Sequence, residues 1–451
     1  MASTYLTRTP SSAGDRKTFT FSTWIKRSSS SANQMLLVQS SSSSNFSFMR
    51  FKSDGTLSIY SESGGSSQYN FVPSMLFRDF SAWYHVVLTI DTTQATSTDR
   101  VKFYVNGSQI TDFSTETYPS QNIDTMFNST NALELGRRTY STDEYLDGSL
   151  AHTHFIDGTA YAASTFGETD STTGISKPKT APSVTYGTNG FFLKFASSGS
   201  MGTDSSGNGN NFTVNGNLTQ TQDTPSNVFA TFNPLTIPAS SGLTLSDGNL
   251  SLSGSSTDAG AKATLGVSSG KWYWEVKANT ASSGSDRHLV ATDIVRQITS
   301  ATDPNSQGIW GIQSRSGSGA TLNSYTNGTF SNVNTGSTGY DDNTIISVAL
   351  DMDNGKLYFA KNGTWTDLAG NVGDPVAGTN PTFTGLPTDG TIILPYVENR
   401  QAGTPSSEIN FGNPPFSIST GNADDNGYGN FEYDVPDGYY ALNTKNLAEY
   451  G

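Results

Sequence analysis

Cysteine is absent from all 451 residues. That excludes disulfides, zinc–thiolate sites and cysteine nucleophiles. Charge is also scarce: Asp, Glu, Lys and Arg together make up 14% of the chain, so the surface must be built largely from hydroxyls, amides and glycine. Positive charge in particular is lacking. The formal net charge of -14 would repel a phosphate backbone, which argues against nucleic acid as a partner. No apolar run approaches the length of a membrane span, so membrane insertion is not expected. The opening MASTYLTRTPSSAGDRKTFTF has no apolar signal-peptide core, and export by the usual route is not expected either. Sustained helical periodicity is missing throughout.

What remains is β-forming. In 83–107, WYHVVLTIDTTQATSTDRVKFYVNG, Val86, Leu88 and Ile90 alternate with Val87, Thr89 and Asp91, and Val101, Phe103 and Val105 alternate with Lys102, Tyr104 and Asn106. A period of two puts one set toward a core and the other toward solvent or a second sheet. Asn106-Gly107 supplies the φ > 0 pair of a type I′ hairpin, and Asn354-Gly355 and Asn362-Gly363 repeat the signal downstream. Strands are expected at 19–26, 34–38, 46–51, 56–61, 84–90, 101–105, 132–135 and 148–156, with a short one at 190–195. A second set is expected at 271–278, 344–363, 391–399 and 407–416. The reading is all-β: two antiparallel β-sandwiches, residues 1–165 and 236–451, joined by a polar connector, 166–235.

Catalytic and metal signals are thin. A glycosidase on such a sandwich needs paired carboxylates, and a Glu-x-Asp-x-Glu strand would put three on one face. Glu168-Thr-Asp170 and Glu432-Tyr-Asp434 each lack the last Glu; Thr172 and Pro436 stand there. Gly266-Val-Ser268-Ser-Gly270 has nucleophile-elbow spacing, but a strand follows where a helix is required. The chain is read as non-enzymatic. His152 and His154, two apart on one strand, are either a metal pair or two residues of a half-exposed strand. His85 reads as a packing residue, and His288 has no evident partner. Asp351-Met-Asp353-Asn-Gly355 departs from the calcium-loop spacing and is better explained as a turn. Asp341, Asp342, Asp424 and Asp425 are clustered acids only. No cofactor is expected; calcium stays open and the metal ligands are unknown.

The phrases FTFSTWIKRS (19–28), WYHVVLTID (83–91), VKFYVNG (101–107), LGRR (135–138) and YLDGSLAHTHFIDGTAY (145–161) resemble the laminin-G / concanavalin A-like sandwich, whose jelly roll the first domain would then share. SSGKWYWEV (268–276), IISVALDMDNGKLYFAKNG (345–363), ILPYVEN (393–399) and INFGNPPF (409–416) resemble a SPRY (B30.2-like) sandwich. GTNGFFLKF (187–195), DSSGNGNNFTVNG (204–216), DTPSNVFATFNPL (223–235) and GYYALNTKNLAEYG (438–451) are similar to segments of tailed-phage virion proteins of marine bacteria. These resemblances imply a virion surface protein. Either it is a tail-fibre or appendage module that attaches to host cell-surface glycan, or it is a capsid decoration or assembly protein; a polysaccharide depolymerase ranks last. They also imply other virion proteins as partners and a homo-oligomer, with a trimer as first guess. A sugar has an apolar face and a polar edge, so its site needs an aromatic ring beside hydrogen-bonding groups. Tyr140 and Tyr145 are the candidates in the first domain, and Trp310, Tyr325 and Tyr340 in the second. Trp24, Trp83, Trp272 and Trp274 lie on strand patterns and are assigned mostly to core. By analogy with SPRY loops, 296–305 and 317–334 are the expected partner-binding segments.

Overall fold

The computed structural model describes residues 4–141, 143–171, 174–237, 241–254, 260–279, 285–292, 308–315, 321–326, 329–338, 342–400 and 406–451. The chain forms two compact units, Met1–Ser226 and Asn227–Gly451. Each has two large sheets enclosing its own apolar core, the first unit adding a small Gly167–Thr169/Ser176–Pro178 pair, so the all-β, two-sandwich reading holds.

In the first unit one sheet runs, edge to edge, Phe113–Thr117, Ser66–Pro73, Leu57–Ser63, Asn45–Phe51, Gln34–Ser42, Leu133–Leu135, Tyr5–Arg8 and Thr213–Asn215. The other runs Phe191–Leu193, Gly148–Asp157, Thr18–Arg27, Tyr84–Asp91, Val101–Val105 and Ser108–Ile110. Alternate residues, among them Phe19, Phe21, Met49, Ile59, Leu88 and Phe103, meet between the sheets. The segment read as a connector belongs in large part to this unit. Phe191–Leu193 pairs with Gly148–Asp157, and Thr213–Asn215 pairs with Tyr5–Arg8.

The second unit is built the same way. Its larger sheet has the path Thr244–Ser246, Ser251–Ser253, Ser406–Asn410, Lys271–Ala278, Thr344–Asp351, Lys356–Lys361 and Thr364–Thr366; Phe383–Thr384 pairs with Lys356–Lys361, and Tyr440–Ala441 runs parallel to Lys271–Ala278. Gly260–Lys262, Ile393–Arg400, Ser285–Thr292, Ile309–Arg315, Thr321–Thr326 and Thr329–Thr338 form the facing sheet. Trp272, Trp274, Val348 and Ile312 fill the space between. Gly270 leads straight into the Lys271–Ala278 strand, so no nucleophile elbow forms at 266–270.

Two of the three Asn-Gly hairpins have the expected geometry. Asn106 (φ 50°) and Gly107 (φ 84°), and Asn362 (φ 47°) and Gly363 (φ 79°), are left-handed at both central positions. Each asparagine also accepts a bond through Oδ1 from the backbone of the neighbouring strand: His85 N at 2.8 Å and Ile345 N at 3.0 Å. The third differs. Asp351 pairs directly with Lys356, so four residues form the loop, and only Gly355 (φ 61°) is left-handed. Asp351 Oδ1 accepts the Asn354 N–H at 3.0 Å, and this bond shapes the wider turn. A Cβ on Gly107 would meet open space. Gly107→Ala therefore isolates the backbone cost, and we expect about 1 kcal/mol of lost stability in denaturant unfolding.

Candidate binding face

The outward side of the longer sheet in the first unit carries an unusual row. Register places Thr7 opposite Glu134, Glu134 opposite Val38, Val38 opposite Phe48, Phe48 opposite Tyr60 and Tyr60 opposite Asn70. Their neighbours Leu6, Leu133, Leu37, Met49 and Ile59 point into the core, so this row faces away from it. Phe46, one pleat along, completes an aromatic group. Its ring is 5.7 Å from Phe48 and 5.8 Å from Tyr60, and Phe48 is 5.6 Å from Tyr60.

Tyr140 lies over this group, its ring 5.1 Å from Phe46. It is carried by the loop after Leu133–Leu135, which folds back over the sheet. Gly136 N bonds Leu36 O at 3.2 Å, and Met35 N bonds Glu144 O at 2.8 Å. Glu144 sits in a left-handed backbone conformation (φ 53°). Its carboxylate lies 3.1 Å from Arg50 and 3.4 Å from Arg138. Arg138 also grips Asp143 at 2.6 and 2.8 Å. The guanidinium of Arg50 stands 4.8 Å over Phe48, and that of Arg138 stands 5.2 Å over Tyr140. Tyr60 donates to Glu62 at 2.9 Å. Burial is the main cause raising the phenol pKa values of Tyr60 and Tyr140, so both present neutral hydroxyls. Phe46 and Phe48 are 7% and 5% exposed while Tyr60 and Tyr140 remain half-buried. The accessible part of this group is two tyrosine rings edged by carboxylates, guanidiniums and hydroxyls.

Tyr145 is on the same loop and the same side. Its ring is 6.4 Å from that of Tyr5, over which Arg137 stands at 3.6 Å; Arg137 pairs in turn with Glu134 of the row. The two first-domain candidates are thus brought to one face. Phe46, Phe48, Tyr60 and Arg50 were missed as site residues. The signal was present in NFSFMRF (45–51), where Phe46 and Phe48 on one face answer Met49 and Phe51 on the other. A strand apolar on both sides has both sides covered.

Other candidates fare differently. Trp310 is a correction: it is 3% exposed and lies in the core of the second unit, because its strand turns it toward Trp274 and Val348 rather than outward. Tyr325 lies on the Thr321–Thr326 strand opposite Gly311 and Phe330, with its side chain outside the described residues. Tyr340, Asp341, the 296–305 segment and the His288 side chain are also outside them. Much of 317–334 is a hairpin rather than a loop, formed by Thr321–Thr326 and Thr329–Thr338. Trp272 and Trp274 lie in the core of the second unit as assigned, whereas Trp24 and Trp83 are buried outside the core between the first unit's sheets, against His85 and Asp223 respectively.

His152 and His154 do not make a half-exposed pair. The register shifts between Ala151 and His154, His152 takes φ 47°, and His154 is buried, stacked 3.9 Å from Phe192. Among the described residues no group of three His, Asp or Glu side chains could hold a metal ion. Asp424 accepts from the backbone N–H groups of Asn426, Tyr428 and Ala441, and Asp425 from that of Gly438, so both serve the chain itself. Glu168 and Asp170 share Lys177, at 3.8 and 2.8 Å, and Glu432 accepts from Ser419.

Comparison with known proteins agrees with this architecture. Residues 2–165 match the family described as the concanavalin A-like lectin/glucanases superfamily, and residues 271–393 match the SPRY domain family. The chain carries a concanavalin A-like N-terminal domain and a SPRY C-terminal domain. Both are binding-type domains. The aromatic face lies within the concanavalin A-like match, whereas the Phe191–Leu193 and Thr213–Asn215 strands that complete its sheets lie beyond it. Among solved structures, the TRIM65 PSpry domain matches at 16% identity and a TM-score of 0.28, covering 40% of this chain and 91% of that one. The SPRY domain of human HERC1 matches at 18% and 0.28, covering 40% and 96%. A native heptameric SAP-like pentraxin from Limulus polyphemus matches at 17% and 0.27, covering 36% and 72%. No curated protein matches the sequence.

Proposed function

We propose that this chain is a non-enzymatic virion surface protein, a tail-fibre or appendage module that attaches to host cell-surface glycan through the outward face of its concanavalin A-like domain. The observation that carries this reading is Tyr140 laid over Phe46 beside Tyr60, with paired polar groups at the rim. Tyrosine rings take the apolar face of a sugar, and the Glu62, Asp143 and Arg138 groups take its hydroxyls. Neutral sugars suit this site best. Arg50, Arg137 and Arg138 already hold carboxylates, and a chain of net charge -14 gives a polyanion nothing to gain. A single contact of this size is weak. Display in several copies on a particle, a trimer being the first guess, makes later contacts intramolecular and attachment durable.

The test is titration of the full chain onto intact host cells and their extracted surface polysaccharide, with and without a calcium chelator. Saturable binding that the chelator leaves unchanged is expected, and Tyr140→Ala should weaken it about tenfold, the loss of one stacking platform. No binding by folded protein that is still recovered on assembled particles would favour capsid decoration instead.

A further inference from the structure

The outward side of the other sheet in the first unit is not solvent-facing. A segment of chain, residues 159–168, lies across it. Thr20 donates its hydroxyl to Thr159 O at 2.8 Å and accepts the Tyr161 N–H at 2.8 Å, and the Thr89 hydroxyl donates to Tyr161 O at 2.7 Å. Beneath this strap are two buried histidines from the strands that flank Thr18–Arg27. His85 is stacked on Trp24, ring centroids 4.7 Å apart and planes 7° apart, and its Nε2 is 2.9 Å from Ser22 Oγ. Gly167 presses so closely that a Cβ there would lie 3.0 Å from His85 Nδ1. His154 is sandwiched by Phe192 at 3.9 Å and strap residue Phe166 at 5.1 Å. Its Nδ1 meets the Tyr186 hydroxyl at 2.9 Å, and its Nε2 is buried with no partner.

We propose that residues 159–168 are an acid-released strap: protonation of His85 and His154 detaches it from the sheet and uncovers Trp24, Phe166 and Phe192. The geometry gives the reason. Whichever nitrogen holds the proton in the neutral ring, a charged His154 carries an N–H at Nε2 in a buried position without a partner, and a charged His85 would sit between the Trp24 ring and the backbone of Gly167. The charged groups acting on His154 are His152, His85 and Lys194, and each adds positive charge when protonated. His152 faces it from the same strand; Tyr186, itself under the influence of Asp204, is the titratable group on the other side. Burial pushes the His85 pKa down to about 4 and holds that of His154 well below the ordinary imidazole value. The sign follows. Both imidazoles are neutral when packed and take up protons when released, so packing is fully favoured above about pH 6.5 and is lost as pH falls from there toward the folded values.

The experiment is hydrogen–deuterium exchange of the full chain between about pH 7 and about pH 5, corrected for intrinsic exchange, with circular dichroism as the check on the fold. Opening of 159–168 should rise by up to about tenfold per pH unit for each histidine, while the Thr18–Arg27 and Tyr84–Asp91 strands stay protected. His154→Phe should blunt the response, and Phe166→Ala should open the strap already near neutral pH. Exchange at 159–168 that does not change with pH, or that rises only together with those two strands, would overturn the proposal, and the wild-type measurement decides this even if a variant fails to fold.

Discussion

Lys26→Met should destabilise the first unit by about 3–5 kcal/mol, the cost of leaving a buried carboxylate without its cation. Lys26 Nζ lies 2.6 Å from Asp223, and both side chains are only 6% exposed. The same carboxylate accepts the Trp83 indole N–H at 3.2 Å. The pair joins the outward side of the Thr18–Arg27 strand to a stretch that reads as linker in the sequence. Removing both charges should cost less than removing one, because the expense lies in the unpaired ion rather than in the lost attraction. Lys26→Met/Asp223→Leu is therefore expected to recover a good part of the loss. Urea unfolding of the full chain reports this as a shift in the transition of the first unit. A single variant within about 1 kcal/mol of wild type would mean that water reaches Asp223.

Glu275→Ala should cost the second unit a comparable amount, about 4 kcal/mol. Glu275 is fully buried on the outward side of the Lys271–Ala278 strand. Oε1 accepts from the Tyr273 hydroxyl at 3.0 Å and Tyr433 N at 2.8 Å; Oε2 accepts from Asn410 Nδ2 at 3.1 Å and Glu432 N at 3.0 Å. Alanine would strand all four donors and release the chain around 431–433, which lies over Tyr273 with Phe431 and Tyr439. Limited proteolysis should then cut near 431–433, where the wild type resists. Glu275→Gln keeps one acceptor oxygen and should fall between the two. Burial raises the Glu275 pKa. Its contribution is present below the ordinary carboxylate value and declines as pH rises through the raised one, opposite in sense to that of the histidines under the strap.

The two variants share a cause, which also explains what was legible in the sequence. TFTFSTWIKR, YHVVLTID and KWYWEVKA were correctly read as strands, because their β-branched and aromatic residues admit little else. Which side faced water was not legible. Val87 and Thr89, on the side facing away from the core, are buried like Val86 and Leu88, and residue Tyr161 of the 159–168 segment bonds Thr89 there. Tyr273 and Glu275 are enclosed by the chain around 431–441. Polar residues such as Thr20, Ser22 and Glu275 look solvent-facing in sequence, yet here they bind the backbone or side chains packed over them. The same blindness hid half of the candidate face. Tyr140 stood out as a loop aromatic, whereas Phe46 and Phe48 were read only as part of a strand until the register placed them outside the core. Trp310 failed for the converse reason: its loop-like surroundings in sequence, rich in Gly and Ser, gave no sign of a strand pointing inward. The Asn354-Gly355 turn was misjudged because Asp351 lengthens it by capturing the Asn354 N–H.

We propose host glycan as the occupant of the outward face of the concanavalin A-like domain. The most direct test is a hydrogen-exchange footprint of the full chain with and without purified host surface polysaccharide. Slowed exchange is expected in the Asn45–Phe51 and Leu57–Ser63 strands and in residues 136–141 and 143–147, with the SPRY domain unchanged. Polysaccharide that binds yet protects only the SPRY domain, or leaves 45–51, 57–63 and the Tyr140 loop exchanging as before, would contradict this proposal.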